Sequence, residues 1–323
     1  MPLDLDITGI VEAPRHIERV FLRSSLLTAA ALDAATGCHV LAKSELANPI
    51  GCFKGRGADL FCATALAAEE SVVCASAGNF GQGLAYAANR RGHACTVFAS
   101  EQANPVKIEA MRRLGADVRL AGADFDAAKA AARDHALHTG QRWVEDGAEP
   151  AIADGAGTIA LELLDAASFD SIVVPLGNGA LLDGIGRVVR ALAPHVHVIA
   201  VVAVNAPAMK LSLEAGQAIV TARADTIADG IAVRVPIPAT LARLRDCCDD
   251  VVAVSDDDLF AAMQLIHRTL GVVVEPAGAA GIAAILATPK RYAGQRVATI
   301  LTGANIAPVL RQRLLSPPLA FSR

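Results

Sequence analysis

The strongest constraint on the fold of this chain is a regular alternation of two kinds of segment, which runs from about residue 37 to residue 302. Short apolar and β-branched runs, such as residues 196–204, alternate with longer Ala-rich stretches of helical period, such as residues 125–139. This rhythm is typical of βαβ units around a parallel sheet. It predicts an α/β protein with parallel-type sheets covered by helices.

Composition and charge narrow the class of protein. Of the 323 residues, 53% are hydrophobic but only 4% are aromatic, so Ala, Val, Leu and Ile must fill the core. The formal net charge is −4 and no block of Lys and Arg occurs, which excludes the basic surface that nucleic acid or an acidic membrane would need. We therefore expect chemistry on a small molecule.

The cysteines and the first residues bear on the compartment. The seven cysteines form no Cys-x-x-Cys pair and lie in apolar surroundings, which predicts buried thiols in a reducing environment rather than disulfides or zinc. Residues 1–15 lack the apolar segment of an export signal. A cytoplasmic protein is the expectation.

The domain organisation is predicted to be two-lobed. No low-complexity linker and no fixed repeat divides the chain, so any subdivision must consist of interleaved lobes. Residues 71–144 contain their own alternation of strand and helix patterns. We predict that they form a small lobe inserted in a large lobe made of residues 1–70 and 145–323.

The first motif surrounds Lys54, one of only six lysines, in the glycine-flanked apolar segment of residues 48–57. Apolar packing desolvates an amine and favours the neutral form that acts as a nucleophile in Schiff-base chemistry. A lysine near a helix N-terminus that binds an anion or solvent explains this motif alone equally well.

The second motif, residues 76–83, follows a predicted strand and precedes a predicted helix. Small residues there free backbone amides that can form a nest for a carboxylate, and Asn79 adds a directed hydrogen bond. A purely structural tight turn is the alternative.

The third motif, residues 175–181, also joins a strand to a helix, and its exposed amides suit a phosphate monoester. A dinucleotide fold is the competitor, but after Gly179 the next glycine is Gly184, and the following strand ends in Asn205 rather than in an acid. The fourth motif is residues 302–305, where the Thr302 hydroxyl could bond a heterocyclic nitrogen at the end of a strand.

Taken together and in this order, the four motifs resemble the fold-type II pyridoxal-phosphate enzymes, which share the architecture of the tryptophan synthase β-subunit. The pattern is most similar to the serine/threonine dehydratases and covers nearly the whole chain. The resemblance implies that the large lobe binds pyridoxal 5'-phosphate, that Lys54 is the catalytic lysine that carries it, and that the cofactor contacts Phe53, Lys54, Asn79, Gly177, Asn178, Gly179, Ala180, Leu181, Glu275 and Thr302. The substrate carboxylate would bind at Ser76, Ala77, Gly78, Asn79 and Phe80.

Departures from the family pattern concern the substrate more than the cofactor. Asn178 and Ala180 stand where four consecutive glycines are usual, Cys52 replaces a common Ser, and Phe80 replaces a common His. Ala77 occupies the position at which related serine racemases carry a second acid/base serine, so racemisation is disfavoured. The chain ends soon after these motifs, and no C-terminal regulatory domain is expected.

The implied activity is that of a lyase, which dehydrates and deaminates L-threonine or L-serine to a 2-oxo acid and ammonia with Lys54 as general base. Alternatives are a 3-hydroxyaspartate dehydratase, a β-replacement enzyme similar to cysteine synthase, and a ligand-binding protein without turnover. A divalent or monovalent cation is an optional further cofactor, with Asp225 and Asp229 as weak candidate ligands; capping or solvated charge explains them better. Relatives are dimers or tetramers, so a homo-oligomer is expected.

Overall fold

The computed structural model describes residues 6–316, which form two sheets covered by helices. The strands of the described residues are β1 Ser25–Leu27, β2 His39–Ser44, β3 Val72–Ala75, β4 Cys95–Ala99, β5 Asp117–Leu120, β6 Arg142–Trp143, β7 Ser171–Pro175, β8 His197–Ala203, β9 Asp250–Val254 and β10 Arg296–Leu301.

The helices lie on both faces of the sheets, and most of them follow a strand. They are α1 Thr8–Glu12, α2 Ala30–Thr36, α3 Lys54–Thr64, α4 Asn79–Arg90, α5 Pro105–Arg113, α6 Phe125–Thr139, α7 Pro150–Ala166, α8 Ala180–Leu192, α9 Ala208–Ala215, α10 Pro238–Leu244, α11 Asp256–Leu270, α12 Pro276–Ala287, α13 Pro289–Tyr292 and α14 Pro308–Leu315. Short 3-10 turns occupy Ala13–Arg15, Arg19–Phe21 and Asp229–Ile231.

The larger sheet has six strands in the order β1-β2-β10-β7-β8-β9, and all neighbours are parallel except β1 and β2. The last strand, β10, lies in the middle, with Thr299 opposite Ala42 of β2 and Val173 of β7. Apolar side chains on the two faces of this sheet form two separate core clusters. The predicted α/β class with parallel-type sheets is therefore confirmed.

The smaller sheet has four parallel strands in the order β5-β4-β3-β6, all of them between Val72 and Trp143. Its helices α4, α5 and α6 lie in the same stretch of chain. This arrangement supports our proposal that residues 71–144 are a small lobe inserted between residues 1–70 and 145–323, the two parts of the large lobe.

Local signals located several helices well. Helix α11 begins at Asp256 after Ser255, whose side chain accepts from the amide of Asp258 in a capping box, so the acidic run there is a helix start. Helix α6 ends at Thr139, and Gly140 caps it in the left-handed conformation, with φ +73°.

In the sequence, the helical pattern predicts that one helix begins at Gly57 and another at Thr158, and both predicted starts are too late because glycines obscure the first turns. Helix α3 begins at Lys54 rather than at Gly57, and α7 begins at Pro150 rather than at Thr158. The two helices pack closely together: a Cβ on Gly155 would lie 2.5 Å from the carbonyl oxygen of Arg56. These glycines lower helix propensity locally, but they permit a contact that stabilises both helices.

The thiols lie as predicted: all seven cysteines are free, and all but Cys248 are buried. Within residues 6–316, no helix has the length and apolar character needed to cross a membrane.

Candidate active site

One cavity of about 910 Å³ lies at the carboxyl ends of strands from both sheets. The segments that follow β2, β3, β7 and β10, together with the residue before α12, bring the candidate residues to its wall. They are Phe53, Lys54, Ser76, Ala77, Gly78, Asn79, Phe80, Gly177, Asn178, Gly179, Ala180, Leu181, Glu275 and Thr302. The four motifs, which lie as far as 250 residues apart in the chain, are thus adjacent in space.

Lys54 is the first residue of α3, and main-chain contacts tie it to the end of β10. The amide of Phe53 donates to the carbonyl oxygen of Thr302 at 3.0 Å, and Cys52 forms an isolated bridge with Gly303. The amine of Lys54 lies 4.7 Å from the centre of the Phe53 ring. The side chain of Lys54 is only 16% exposed and forms part of the cavity wall.

Asp146 is the nearest charged partner of the lysine, and the sequence analysis did not identify it. Its Oδ2 lies 2.5 Å from Nζ of Lys54, and its side chain is 12% exposed. The segment of residues 145–147 has the composition of an ordinary polar turn. No local signal marks Asp146, because the contact joins positions that are 92 residues apart.

Gly147, which follows Asp146, holds the backbone of this turn in place. Gly147 has φ +88°, a conformation that favours glycine, and a Cβ there would collide with the carbonyl oxygen of Asn178. The carbonyl oxygen of Gly147 accepts hydrogen bonds from Thr240, at 2.7 Å, and from Arg243. The turn that bears Asp146 is therefore clamped against α10 and the loop before α8.

The loop at residues 76–80 begins α4. Oγ of Ser76 accepts hydrogen bonds from the amides of Gly78 at 3.2 Å and Gly81 at 2.9 Å. This hydroxyl therefore satisfies an amide in the first turn of α4. The side chain of Ser76 thus serves the loop itself.

Asn79 lies between two side chains that are distant in the chain. Its Nδ2 donates to Oε1 of Glu275 at 2.7 Å, and its Oδ1 accepts from Nδ2 of Asn305 at 2.7 Å. Asn305 also donates to the carbonyl oxygen of Ile50. The sequence analysis assigned no role to Asn305, although it belongs to the fourth motif.

Glu275 precedes α12 and is 2% exposed. Burial raises the pKa of its carboxyl to about 7, and the nearby charge of Asp229 acts in the same direction. Oε2 of Glu275 is buried and has no hydrogen-bond partner among the residues that the structure describes. This group can therefore be protonated near neutral pH.

The loop before α8 is shaped to receive an anion. Gly179 is the N-cap residue, with φ +101°, and a Cβ there would press against the side chains of Thr240 and Leu244. A Cβ on Gly177 would lie 2.5 Å from the carbonyl oxygen of Gly230. Because Gly179 has no side chain that could cap the helix, the first amides of α8 are available to an anionic ligand.

This set of groups fits pyridoxal phosphate. The cavity wall offers an amine for the aldehyde, a helix N-terminus for the phosphate, and the hydroxyl of Thr302 at the end of β10 for the ring nitrogen. Thr302 is 4% exposed, so a bond to it would be shielded from water.

Two ion pairs link the small sheet's helices to the opposite wall of the cavity. Lys107 of α5 pairs with Asp229, and Asp126 of α6 pairs with Arg234. Asp225 and Asp229 both line the cavity, but in residues 6–316 no group of three or more His, Cys, Asp or Glu side chains is placed to hold a metal ion.

A buried ion cluster lies behind Lys54. Arg56 is fully buried and bonds to Glu45 at 2.9 Å and to Glu162 at 2.6 Å. Burial opposes the ionisation of Glu162, but hydrogen bonds from Arg56 and Lys43 outweigh it and lower its pKa to about 2. The cluster anchors the first turn of α3.

Comparisons with known proteins find relatives over nearly the whole chain. Residues 17–303 match the family described as pyridoxal-phosphate dependent enzyme. The chain is 35% identical to an L-threonine ammonia-lyase of Thermotoga maritima, over 98% of this chain and 80% of that protein. It is also 35% identical to an L-threonine ammonia-lyase of Geobacter sulfurreducens, over 94% of this chain and 76% of that protein.

Solved structures share the fold over almost the whole chain. The processed form of threonine deaminase isoform 2 from Solanum lycopersicum superposes with a TM-score of 0.89 at 28% identity, covering 95% of this chain and 92% of that one. The serine racemase of maize gives a TM-score of 0.88 at 28% identity, with 95% and 96% coverage.

Proposed function

Because the chain belongs to the family of pyridoxal-phosphate dependent enzymes, we propose that it is a lyase that removes the β-hydroxyl of L-threonine or L-serine. The products are a 2-oxo acid and ammonia. The observation that carries the proposal is the placement of Lys54 in one cavity with the anion-binding loop of residues 177–181. The relatives named L-threonine ammonia-lyase support this reaction over β-replacement.

The residues that would hold the cofactor follow from the site. Amides of Gly177 to Leu181 would bind the phosphate, Phe53 would lie beside the ring, Thr302 would bond the ring nitrogen, and Lys54 would bind the aldehyde carbon. When bound, the cofactor withdraws the negative charge that develops at the substrate's Cα.

The chain's own groups orient the substrate and move its protons. The main chain at residues 76–80 binds the carboxylate. The side chains of Asn79, held by Asn305, and of Glu275 line the same cavity. The amine of Lys54 then takes the proton from Cα as general base. Ala77 offers no group that could return a proton to the other face, so racemisation is disfavoured. The β-hydroxyl leaves as water when the protonated amine of Lys54 gives it the proton taken from Cα. The unsaturated amine that is released hydrolyses in water to the 2-oxo acid and ammonia.

The test is a panel of 3-hydroxy amino acids added to the protein loaded with pyridoxal phosphate. We expect 2-oxo acid and ammonia in equal amounts from L-threonine or L-serine without any second nucleophile. A β-thio amino acid that forms only when a thiol is added, without ammonia, would instead indicate β-replacement. No product from any amino acid would contradict the lyase assignment. Parallel assays with and without divalent cation test the optional ion.

We further infer a cytoplasmic homo-oligomer of two or four chains. The free, mostly buried thiols support a reducing compartment. Light scattering of the holoenzyme measures the number of chains.

A further inference from the structure

Asp146 stands beside the lysine that binds the cofactor, and we propose that its carboxylate determines which β-substituent the enzyme accepts. It selects for a neutral or cationic hydrogen-bond donor and excludes a second carboxylate. The inference rests on the proposed function, because it names the substrate class of that same site.

The first support is distance. Oδ2 of Asp146 lies 2.5 Å from Nζ of Lys54, the atom that must reach both the cofactor and the substrate's Cα. Because Nζ must reach Cα, a side chain that contacts Nζ also lies near the substituents on Cα. Asp146 is thus adjacent to the β-position of the substrate.

The second support is an unmet need for hydrogen-bond donors. Oδ1 of Asp146 is buried without a partner among the described residues. Buried carboxylate oxygens are costly unless they accept hydrogen bonds. A substrate hydroxyl or ammonium supplies the missing donor, whereas a substrate carboxylate adds a like charge at short range.

The third support is the balance of charge around the cavity. The basic side chains Lys107, Lys129 and Arg234 each contact a carboxylate, namely Asp229, Glu145 and Asp126 respectively. Arg223 also lines the cavity but is exposed to solvent. These contacts leave little uncompensated positive charge to attract a second carboxylate near Lys54.

The position of Asp146 does not adapt easily. The turn is clamped through Gly147, which packs against Asn178 and accepts hydrogen bonds from Thr240 and Arg243. The backbone that carries Asp146 is therefore held beside Lys54.

The experiment compares two amino acids of the same shape that lack a β-hydroxyl, L-asparagine and L-aspartate. Their dissociation constants for the holoenzyme are read from the change in cofactor absorbance. We expect the wild type to bind L-asparagine more tightly by at least about tenfold, as like-charge juxtaposition requires. Asp146→Asn should bring the ratio close to one. Glu109→Gln removes the same charge from an exposed site on α5 and should leave the ratio unchanged.

Each outcome decides the inference. A wild type that binds L-aspartate as tightly as L-asparagine overturns it without any variant. A ratio that persists in Asp146→Asn, or in Asp146→Ser should the first variant not fold, overturns it as well. Turnover of L-serine is measured on the same wild-type preparation: its absence counts against the proposed function, whereas normal turnover with an unaltered binding ratio counts only against Asp146.

Discussion

Asn305 donates a hydrogen bond from its Nδ2 to Oδ1 of Asn79 at 2.7 Å, across 226 positions of sequence. With its acceptor oxygen engaged in this way, Asn79 directs its own amide group to Oε1 of Glu275. The relationship means that a residue near the end of the chain sets the orientation of a side chain in the second motif.

Asn305→Asp should lower kcat/KM for L-threonine by about tenfold, because the hydrogen bond to Asn79 is lost and one buried hydrogen bond contributes about that factor. Aspartate cannot donate, so Asn79 loses its fixed orientation. Steady-state kinetics and the absorbance spectrum of the bound cofactor are the measurements. Asn305→Ser, which keeps a donor, should retain more activity than Asn305→Asp. Equal activity of all three proteins would show that Asn79 needs no support.

Lys54→Ala should abolish both turnover and covalent attachment of the cofactor. Borohydride reduction followed by peptide mass spectrometry locates the modified lysine, which we expect only at position 54. Lys290→Ala, at an exposed lysine, serves as the matched control and should behave as wild type. A Lys54→Ala protein with normal activity would refute the assignment.

Gly179→Ala should weaken binding of pyridoxal phosphate. Its φ of +101° and the side chains of Thr240 and Leu244 leave no room for a methyl group at the helix N-terminus. The control is Gly140→Ala, at φ +73° with nothing within 4 Å. Both changes should cost about 1–2 kcal/mol of backbone strain, but only Gly179→Ala should raise the dissociation constant of the cofactor, measured by fluorescence titration of the apoprotein.

The buried cluster of Arg56 predicts a dependence of stability on acid. The pKa of Glu162 is lowered from 4.5 to about 2, so its ionised form stabilises the fold above about pH 4.5, and this contribution is lost as the pH falls toward 2. Glu162→Gln should therefore be less stable than wild type at pH 7 and should lose less stability between these two values. Urea unfolding at several pH values measures the slopes, and Glu109→Gln should keep the wild-type slope.

The same cluster predicts a large effect of removing its cation. Arg56→Leu leaves Glu45 and Glu162 buried without their partner, so the free energy of unfolding at pH 7 should fall by about 3–5 kcal/mol. Urea unfolding of the variant at pH 7 gives this difference directly, and an unchanged midpoint would show that the cluster contributes little.

The sequence by itself determined the α/β class, the limits of helices such as α6 and α11, and the four loops of the cavity. Each of these depends on neighbouring residues: apolar spacing, caps such as Ser255, and glycines next to a strand end. Because these signals are local, they place the starts of α3 and α7 too late: glycines weaken the helical pattern there, whereas packing between the two helices stabilises their first turns.

Only the tertiary structure placed Asp146 against Lys54, Asn305 against Asn79, and Arg56 between two buried carboxylates. These pairs join segments that meet because β10 inserts between β2 and β7 and because the small sheet faces the same cavity. Strand order is settled by how all the apolar faces are buried together, and no single stretch of sequence encodes it. Contacts between side chains that are distant in the chain therefore emerge only when the whole sheet is assembled.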